Sequence, residues 1–151
     1  YADFLLDRGR PAEVLPLLAR SLQSDTAYLR VALAHAALGM PDTANYTWVM
    51  AARFEALKQR GDDFYGREQV RFALYLQHDP GTALELALQN WKVQRAPWDA
   101  RVLLEAAKAA GQPAAASEAL ALVAQTHLQD PLIEPLAAEL RSQRHTTEAR
   151  R

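Results

Sequence analysis

The sequence contains no cysteine, which excludes disulfide bridges, thiolate zinc sites, iron-sulfur clusters and cysteine nucleophiles. Glycine is scarce, and its six residues form no glycine-rich phosphate-binding loop. No apolar run reaches the roughly 18 residues that a membrane span requires. Neither sign of charge is in excess, since 17 lysines and arginines face 18 aspartates and glutamates. We therefore expect no nucleic-acid partner and no membrane span.

Histidine and serine show no catalytic arrangement. The four histidines, His35, His78, His127 and His145, lack the i, i+4 spacing with a glutamate that builds a helical zinc site. The serines lie outside any nucleophile elbow. His35 falls on an apolar helix face, where a hydrogen-bonded core histidine is the favoured interpretation and a ligand or base is the alternative. The sequence therefore predicts no enzyme, no metal site and no cofactor.

The sequence does contain a recurring turn. A turn residue is followed two positions later by proline, and three positions after that by a small or β-branched apolar residue. The four instances begin at Gly9, Gly39, His78 and Gly111. Glycine accepts the left-handed backbone that ends one helix, and proline suits the first turn of the next. Each instance therefore predicts two antiparallel helices joined by a tight turn.

Apolar residues between these turns repeat with helical spacing, and no strand alternation competes. The predicted helices cover residues 1–8, 11–24, 26–38, 41–60, 64–77, 80–93, 98–110, 113–127 and 131–142. Asp79 and Asp130 are the expected N-caps of two of them. Ala44, Trp48 and Ala51 share one face of the fourth helix, and we expect this face to be buried between hairpins.

A helical hairpin that recurs about every 34 residues resembles the tetratricopeptide repeat. The second hairpin matches that pattern best, at Tyr28, Val31, Ala32, His35, Gly39, Ala44, Trp48 and Ala51. The third hairpin departs from it, with Arg71 at a position where the family has a small residue and with Asn90 in the second helix. The resemblance implies an all-α, right-handed α-solenoid over residues 1–142, with about four hairpins and a capping helix at 131–142. Residues 143–151 are expected to be a disordered tail.

Two further expectations concern location and completeness. The stretch from Arg71 to Ala107 is similar to uncharacterised bacterial tetratricopeptide-repeat proteins that carry a secretion signal. This likeness implies export to the bacterial periplasm or cell envelope, and a cytoplasmic location stays open. Residues 1–8 look like the second half of a helix from a longer array. We therefore expect missing upstream repeats, or self-association through the apolar residues of the first hairpin, Phe4, Leu5, Val14, Leu15 and Leu18.

The resemblance also implies where a partner lies, because solenoids of this family bind ligands on the concave surface formed by their first helices. The implied partner-binding residues are Leu29, Leu33, Tyr65, Glu68, Phe72, Tyr75, Trp98, Arg101, Glu105 and Lys108. The first hairpin contributes Asp3, Leu6 and Asp7 to the same surface. Trp98 is expected to stack on a bound peptide, to which Arg101 donates hydrogen bonds. As alternatives, the charged residues form ordinary solvated ion pairs and the aromatic residues pack in the core.

The function that the resemblance implies is a protein-protein interaction scaffold that binds a peptide or protein in this groove, without catalysis. The alternative is a structural module whose surfaces make homo-oligomeric or assembly contacts. A receptor for chaperone tails is not expected, because leucine, glutamate and aromatic residues stand where the family's carboxylate clamp has lysines and asparagines.

Overall fold

The regular structure of the described chain is helical. A computed structural model describes residues 1–62 and 66–148, and no strand occurs within these ranges. Its α-helices are α1 (Ala2–Asp7), α2 (Val14–Leu18), α3 (Asp25–Ala37), α4 (Thr43–Gln59), α5 (Gly66–Tyr75), α6 (Pro80–Val93), α7 (Pro97–Ala109), α8 (Ser117–Gln125) and α9 (Ile133–Glu148). Short 3₁₀ turns at Pro11–Glu13 and Pro113–Ala116 lead into α2 and α8. The predicted all-α class is confirmed. No helix in these ranges has the length and apolarity that crossing a bilayer needs.

The four predicted turns share one backbone conformation. The φ angles are 66°, 63° and 64° at Gly9, Gly39 and Gly111, and 55° at His78. The residue after each glycine donates its N–H to the carbonyl five residues back, as in Met40 N to His35 O at 3.0 Å. This bond satisfies a carbonyl that the helix end leaves without a partner. The spacing of glycine and proline therefore predicted these turns for the expected reason, which is that the turn residue adopts the left-handed backbone that ends a helix.

Helix starts also follow the sequence signals. Asp79 Oδ1 accepts a hydrogen bond from Thr82 N at 3.0 Å, so it caps α6. Asp130 Oδ1 accepts bonds from Leu132 N at 2.8 Å and Ile133 N at 3.1 Å, just before α9. Both expected N-caps are confirmed.

Three helix lengths differ from the prediction. The helix expected over 113–127 is a 3₁₀ turn followed by the nine residues of α8. The helix expected over 11–24 is reduced to a 3₁₀ turn and the five residues of α2. Pro16 lies inside α2, and its missing N–H and its ring both oppose a longer regular helix. At the other end, α9 continues to Glu148 instead of ending at residue 142, so residues 143–148 are helical rather than disordered.

The helices pack against their neighbours in chain order. The odd-numbered helices contact one another in sequence, α1 with α3, α3 with α5, α5 with α7, and α7 with α9. Each even-numbered helix packs against an adjacent odd-numbered one, as α4 does on α3 and α6 on α5 and α7. The apolar core follows this chain of contacts in three clusters, around Val14, around Met50 and around Leu103. The candidate site lies on these odd-numbered helices, whose mutual contacts fix its position.

Asn90, one of the two departures from the repeat pattern, connects α6 to α7. Its side chain is 7% exposed and donates to Asp99 Oδ1 at 2.9 Å. Asp99 Oδ2 in turn accepts the Ala96 N–H at the start of α7. A Cβ placed at Gly66 would collide with the Asn90 side chain, so the start of α5 also depends on this contact. The amide is buried because it has a carboxylate partner.

The predicted buried face of α4 is wrong at Ala44 and Trp48, whereas Ala51 is half-buried against the core cluster around Met50. Trp48 is 71% exposed and Ala44 is also exposed, whereas Met50, Phe54 and Leu57 form the buried face. Residues 48 and 50 point about 200° apart, because each residue advances a helix by about 100°. The core tryptophan of the chain is instead Trp91, which is 4% exposed.

Substitutions in the turns should separate backbone strain from packing. We expect His78→Gly to raise the free energy of unfolding by about 0.5–1 kcal/mol, because glycine adopts a φ of 55° without the steric cost that histidine bears. Gly39→Ala should lower it by about 1 kcal/mol, although a Cβ there meets no atom within 4 Å. Urea unfolding followed by circular dichroism measures both changes. Equal effects of the same sign would contradict this explanation.

Candidate partner-binding cleft

Two aspartates of α1 contact three arginines on α3, α5 and α7. Asp3 Oδ2 accepts from Arg30 Nη2 at 2.7 Å and Nε at 3.1 Å, and Asp3 Oδ1 accepts from Arg71 Nη1 at 2.6 Å. Asp7 accepts two bonds from Arg101, at 2.6 and 2.8 Å. Asp3 and Asp7 share a face because four residues make about one helical turn. We call Arg30, Arg71 and Arg101 the arginine ladder.

The arginine ladder is largely removed from solvent. The side chains of Arg71 and Arg101 are 7% and 11% exposed, and those of Asp7 and Asp3 are 18% and 26% exposed. Burial by itself raises the pKa of Asp3. The positive charge of Arg71 and the hydrogen bonds from Arg71 and Arg30 outweigh this effect and hold that pKa below its ordinary value of 3.8. Asp3 is therefore ionised at neutral pH.

Aromatic side chains extend this polar network. The Arg101 guanidinium lies 4.4 Å from the centroid of the Trp98 indole, and the Arg71 guanidinium lies 5.5 Å from it. Glu105 accepts from Arg101 Nε at 2.7 Å and from the Tyr75 hydroxyl at 2.8 Å. Burial, and then the charge of Glu105, raise the pKa of Tyr75 above its ordinary value of 10.0. The Tyr75 hydroxyl therefore stays protonated and fixed on Glu105.

Two members of the arginine ladder, Arg71 and Arg101, line a cleft of about 590 Å³ between α1, α3, α5 and α7. On the polar wall are Asp7, Arg71, Tyr75, His78 and Arg101. The apolar wall is formed mainly by Leu6, Leu33, Ala36 and Met40. Ligand pockets in proteins commonly span about 300–1,000 Å³ and combine apolar walls with a few fixed polar groups. This cleft has both properties.

The structure corrects three of the sequence-predicted partner-binding residues. Leu29 and Phe72, at 0% and 5% exposed, belong to the core cluster around Met50. Glu68 is 7% exposed and lies 3.6 Å from Arg30 Nη2, so it balances charge within the chain. None of these three side chains lines the cleft. The predicted residue Tyr65 lies outside the described residues.

Other predicted residues lie at the cleft or near it. Leu33 and Tyr75 line it, and Tyr75 is 39% exposed. All three guanidinium nitrogens of Arg101 are bonded to Asp7 and Glu105. Lys108 pairs with Glu139 at 2.6 Å, with both side chains about half exposed. Arg101 and Lys108 are therefore engaged within the chain, which favours the ion-pair alternative, although the Arg101 pairs are buried rather than solvated.

His35, the other residue with two interpretations, is a core residue. It is 6% exposed, and its Nδ1 lies 2.8 Å from Asp42 Oδ1. Its ring lies 4.1 Å from that of Tyr46. The burial and the hydrogen bond agree with the favoured interpretation of a core histidine.

Several residues of the cleft and its ion pairs have roles that were not predicted from the sequence. Arg71 stood out only as a departure from the repeat pattern, although a charged residue at a small-residue position already indicates a buried partner. The i, i+4 spacing of Asp3 and Asp7 is the matching signal, because it places two carboxylates on one face of α1 as partners for buried arginines. Met40 and His78 belong to two of the four recurring turns, and both line the cleft.

A second concave surface lies between α4, α5 and α6, and we call it the Trp48 groove. Its volume is about 850 Å³. It is lined by Trp48, Ala51, Ala52, Phe54, Glu55 and Lys58 of α4, with Gln69, Phe72, Gln77, Thr82, Leu86 and Gln89 opposite. Its most exposed large apolar side chain is Trp48. Exposed apolar area of this kind is a common feature of association surfaces.

Comparison with known proteins identifies no relative of this chain. No family model, no curated protein and no solved structure matches it. Within the described ranges, no three or more histidine, aspartate or glutamate side chains lie together as a metal site requires. The function is therefore argued from the geometry of the cleft.

Asp3→Asn should destabilise the protein in a pH-dependent way. It removes the charge that Arg30 and Arg71 share, and we expect a loss of about 2–3 kcal/mol near neutral pH. Because the pKa of Asp3 is lowered by folding, the wild-type advantage is complete above the unfolded value of about 3.9 and shrinks as the pH falls through the folded value. Urea unfolding of both proteins, from neutral pH to about pH 2.5, measures this difference.

The matched control is Glu13→Gln. Glu13 pairs with Arg10 on the surface, where both side chains are about half exposed, so its loss should change stability little. Two results would show that the ion pairs of the arginine ladder do not stabilise the fold. One is a difference in free energy of unfolding between the wild type and Asp3→Asn that does not change with pH. The other is an equal loss of free energy of unfolding in Glu13→Gln.

Proposed function

We propose that this chain is a protein-interaction scaffold that binds a peptide segment of a partner in the cleft beside the arginine ladder. The observation that carries the proposal is the pairing of an apolar wall with polar side chains held in place by ion pairs. Side chains that are already ordered lose little conformational entropy on binding, which favours affinity. The scaffold performs no catalysis in this proposal.

The architecture supports this proposal. The successive contacts of the odd-numbered helices and the even-numbered helices packed against them are compatible with a right-handed α-solenoid of the tetratricopeptide type. The shared left-handed backbone at Gly9, Gly39, His78 and Gly111 supports a repeated hairpin. In such an array the odd-numbered helices face inward, and the cleft lies among them.

Selection from a random peptide library displayed on phage tests the proposal. Ala36 is half-buried in the cleft wall, so Ala36→Trp should fill the cleft. We expect peptides selected on the wild-type protein to bind Ala36→Trp about tenfold more weakly or worse. The control is Ala121→Trp on the exposed side of α8, which should bind like the wild type. Circular dichroism and urea unfolding establish that both variants are folded.

Two results would refute the cleft as the binding site. One is a selection that enriches no peptide above an unrelated control protein. The other is a set of enriched peptides that bind Ala36→Trp as tightly as the wild type. Binding lost equally in Ala36→Trp and Ala121→Trp would also count against the cleft, since the two sites lie on different helices.

The Trp48 groove favours a second candidate function, self-assembly. An indole that is 71% exposed above a groove of about 850 Å³ is a suitable anchor for a second copy of the chain. In this case sedimentation velocity should show reversible dimers that Trp48→Ser weakens. Leu17→Ser, which removes another exposed apolar side chain, should leave the dimers intact. A wild-type protein that stays monomeric at high concentration would exclude this candidate.

A further inference from the structure

Arg71 differs from the other two members of the arginine ladder in how its donors are used. Arg30 donates through Nε and Nη2 to Asp3 and through Nη1 to the Thr26 carbonyl. Arg101 also donates through all three nitrogens. Arg71 donates through Nη1 alone, to Asp3. A guanidinium carries five N–H donors, so most of the capacity of Arg71 is available to a ligand.

Arg71 lines the cleft, and its remaining donors keep some contact with solvent. Arg71 as a whole is 6% exposed, and it lines the cleft. Among the described residues, no buried side-chain nitrogen or oxygen atom is without a hydrogen-bond partner. The Nε and Nη2 atoms are therefore within reach of solvent rather than sealed in the core. Because Arg71 lines the cleft, a ligand in the cleft would lie beside these atoms.

The charges around the cleft favour a neutral ligand over an acidic one. The cations of this network are Arg30, Arg67, Arg71 and Arg101, and the anions are Asp3, Asp7, Glu68 and Glu105. The network is thus neutral, and an added carboxylate would be a fifth anion beside four cations. Placing another anion in a poorly solvated site whose charges already balance is unfavourable.

We propose that Arg71 donates its free N–H groups to a backbone carbonyl oxygen of a neutral, apolar peptide segment. The apolar side chain of that segment lies against Leu6, Leu33, Ala36 and Met40. This inference rests on the proposed function and defines the chemistry of the partner. A carbonyl oxygen brings no charge, and the guanidinium replaces the water that the carbonyl loses on entering the cleft.

The two methionines of the chain provide the test, because Met40 lines the cleft and Met50 is fully buried in the core. The wild-type protein, labelled with ¹³C in its methionine methyl groups, is titrated with N-acetyl-leucinamide and separately with N-acetyl-leucine. We expect the amide to shift the Met40 signal in a saturable way and to leave Met50 unchanged. The carboxylate probe has the same apolar body, and it should bind at least about fivefold more weakly.

Variants then assign the response to the cleft and to Arg71. Ala36→Trp should abolish the Met40 shift, and Ala121→Trp should retain it. Arg71→Lys keeps the charge beside Asp3 but loses the planar fork of donors, so we expect the amide to bind about fivefold more weakly or worse. The comparison of amide with carboxylate needs only the wild type, and so it decides the question even if Arg71→Lys does not fold.

The outcomes separate this inference from the proposed function. Tighter binding of the carboxylate than of the amide would overturn the neutral ligand. If neither probe moves Met40, the site is refuted, whereas displayed peptides whose binding depends on Ala36 would still support the scaffold. If folded Arg71→Lys binds the amide as the wild type does, Arg71 is not the donor.

Discussion

The ion pairs between the two aspartates of α1 and the arginine ladder hold the first helix against α3, α5 and α7. Asp3 and Asp7 are joined in this way to residues that follow them by 27, 68 and 94 positions. Guanidinium groups so far removed from solvent are stable only with bonded carboxylates, because an unpaired buried charge is strongly unfavourable. The position of α1 and the burial of Arg71 therefore depend on each other, and both contribute residues to the walls of the cleft.

The same neutralisation bears on the ligand that we propose for the cleft. Two arginines in the wall of one cleft suggest at first an anion-binding surface. Their carboxylate partners remove that property, since Asp7 and Glu105 already occupy every nitrogen of Arg101. What remains is a set of directional N–H donors on Arg71 and the apolar wall of the cleft. For the proposed peptide ligand, we therefore expect hydrogen-bonding direction and shape, rather than net charge, to distinguish one segment from another.

The helices could be predicted from the sequence because their signals are local. Proline, glycine and the capping residue Asp79 lie within a few positions of the bonds that they make. The buried face of α4 could not be predicted in this way. The repeat pattern placed Trp48 inward, but the rotation of the helix depends on the packing of Met50 and Phe54 against α3 and α5. The contacts of the arginine ladder could not be predicted either, because spacing along the chain does not reveal that Asp3 contacts Arg71.

The two departures from the repeat pattern in the third hairpin follow one physical rule. Arg71 and Asn90 are both buried, at 6% and 7% exposed, and each is bonded to a carboxylate, from Asp3 and Asp99 respectively. A polar residue at an interior position is tolerated where its partner is present, and it is costly elsewhere. Asn90 ties α6 to α7 and crowds the start of α5 at Gly66, and Arg71 lies near the middle of α5. The irregular hairpin therefore sets the position of α5, from which Arg71 reaches both α1 and the cleft.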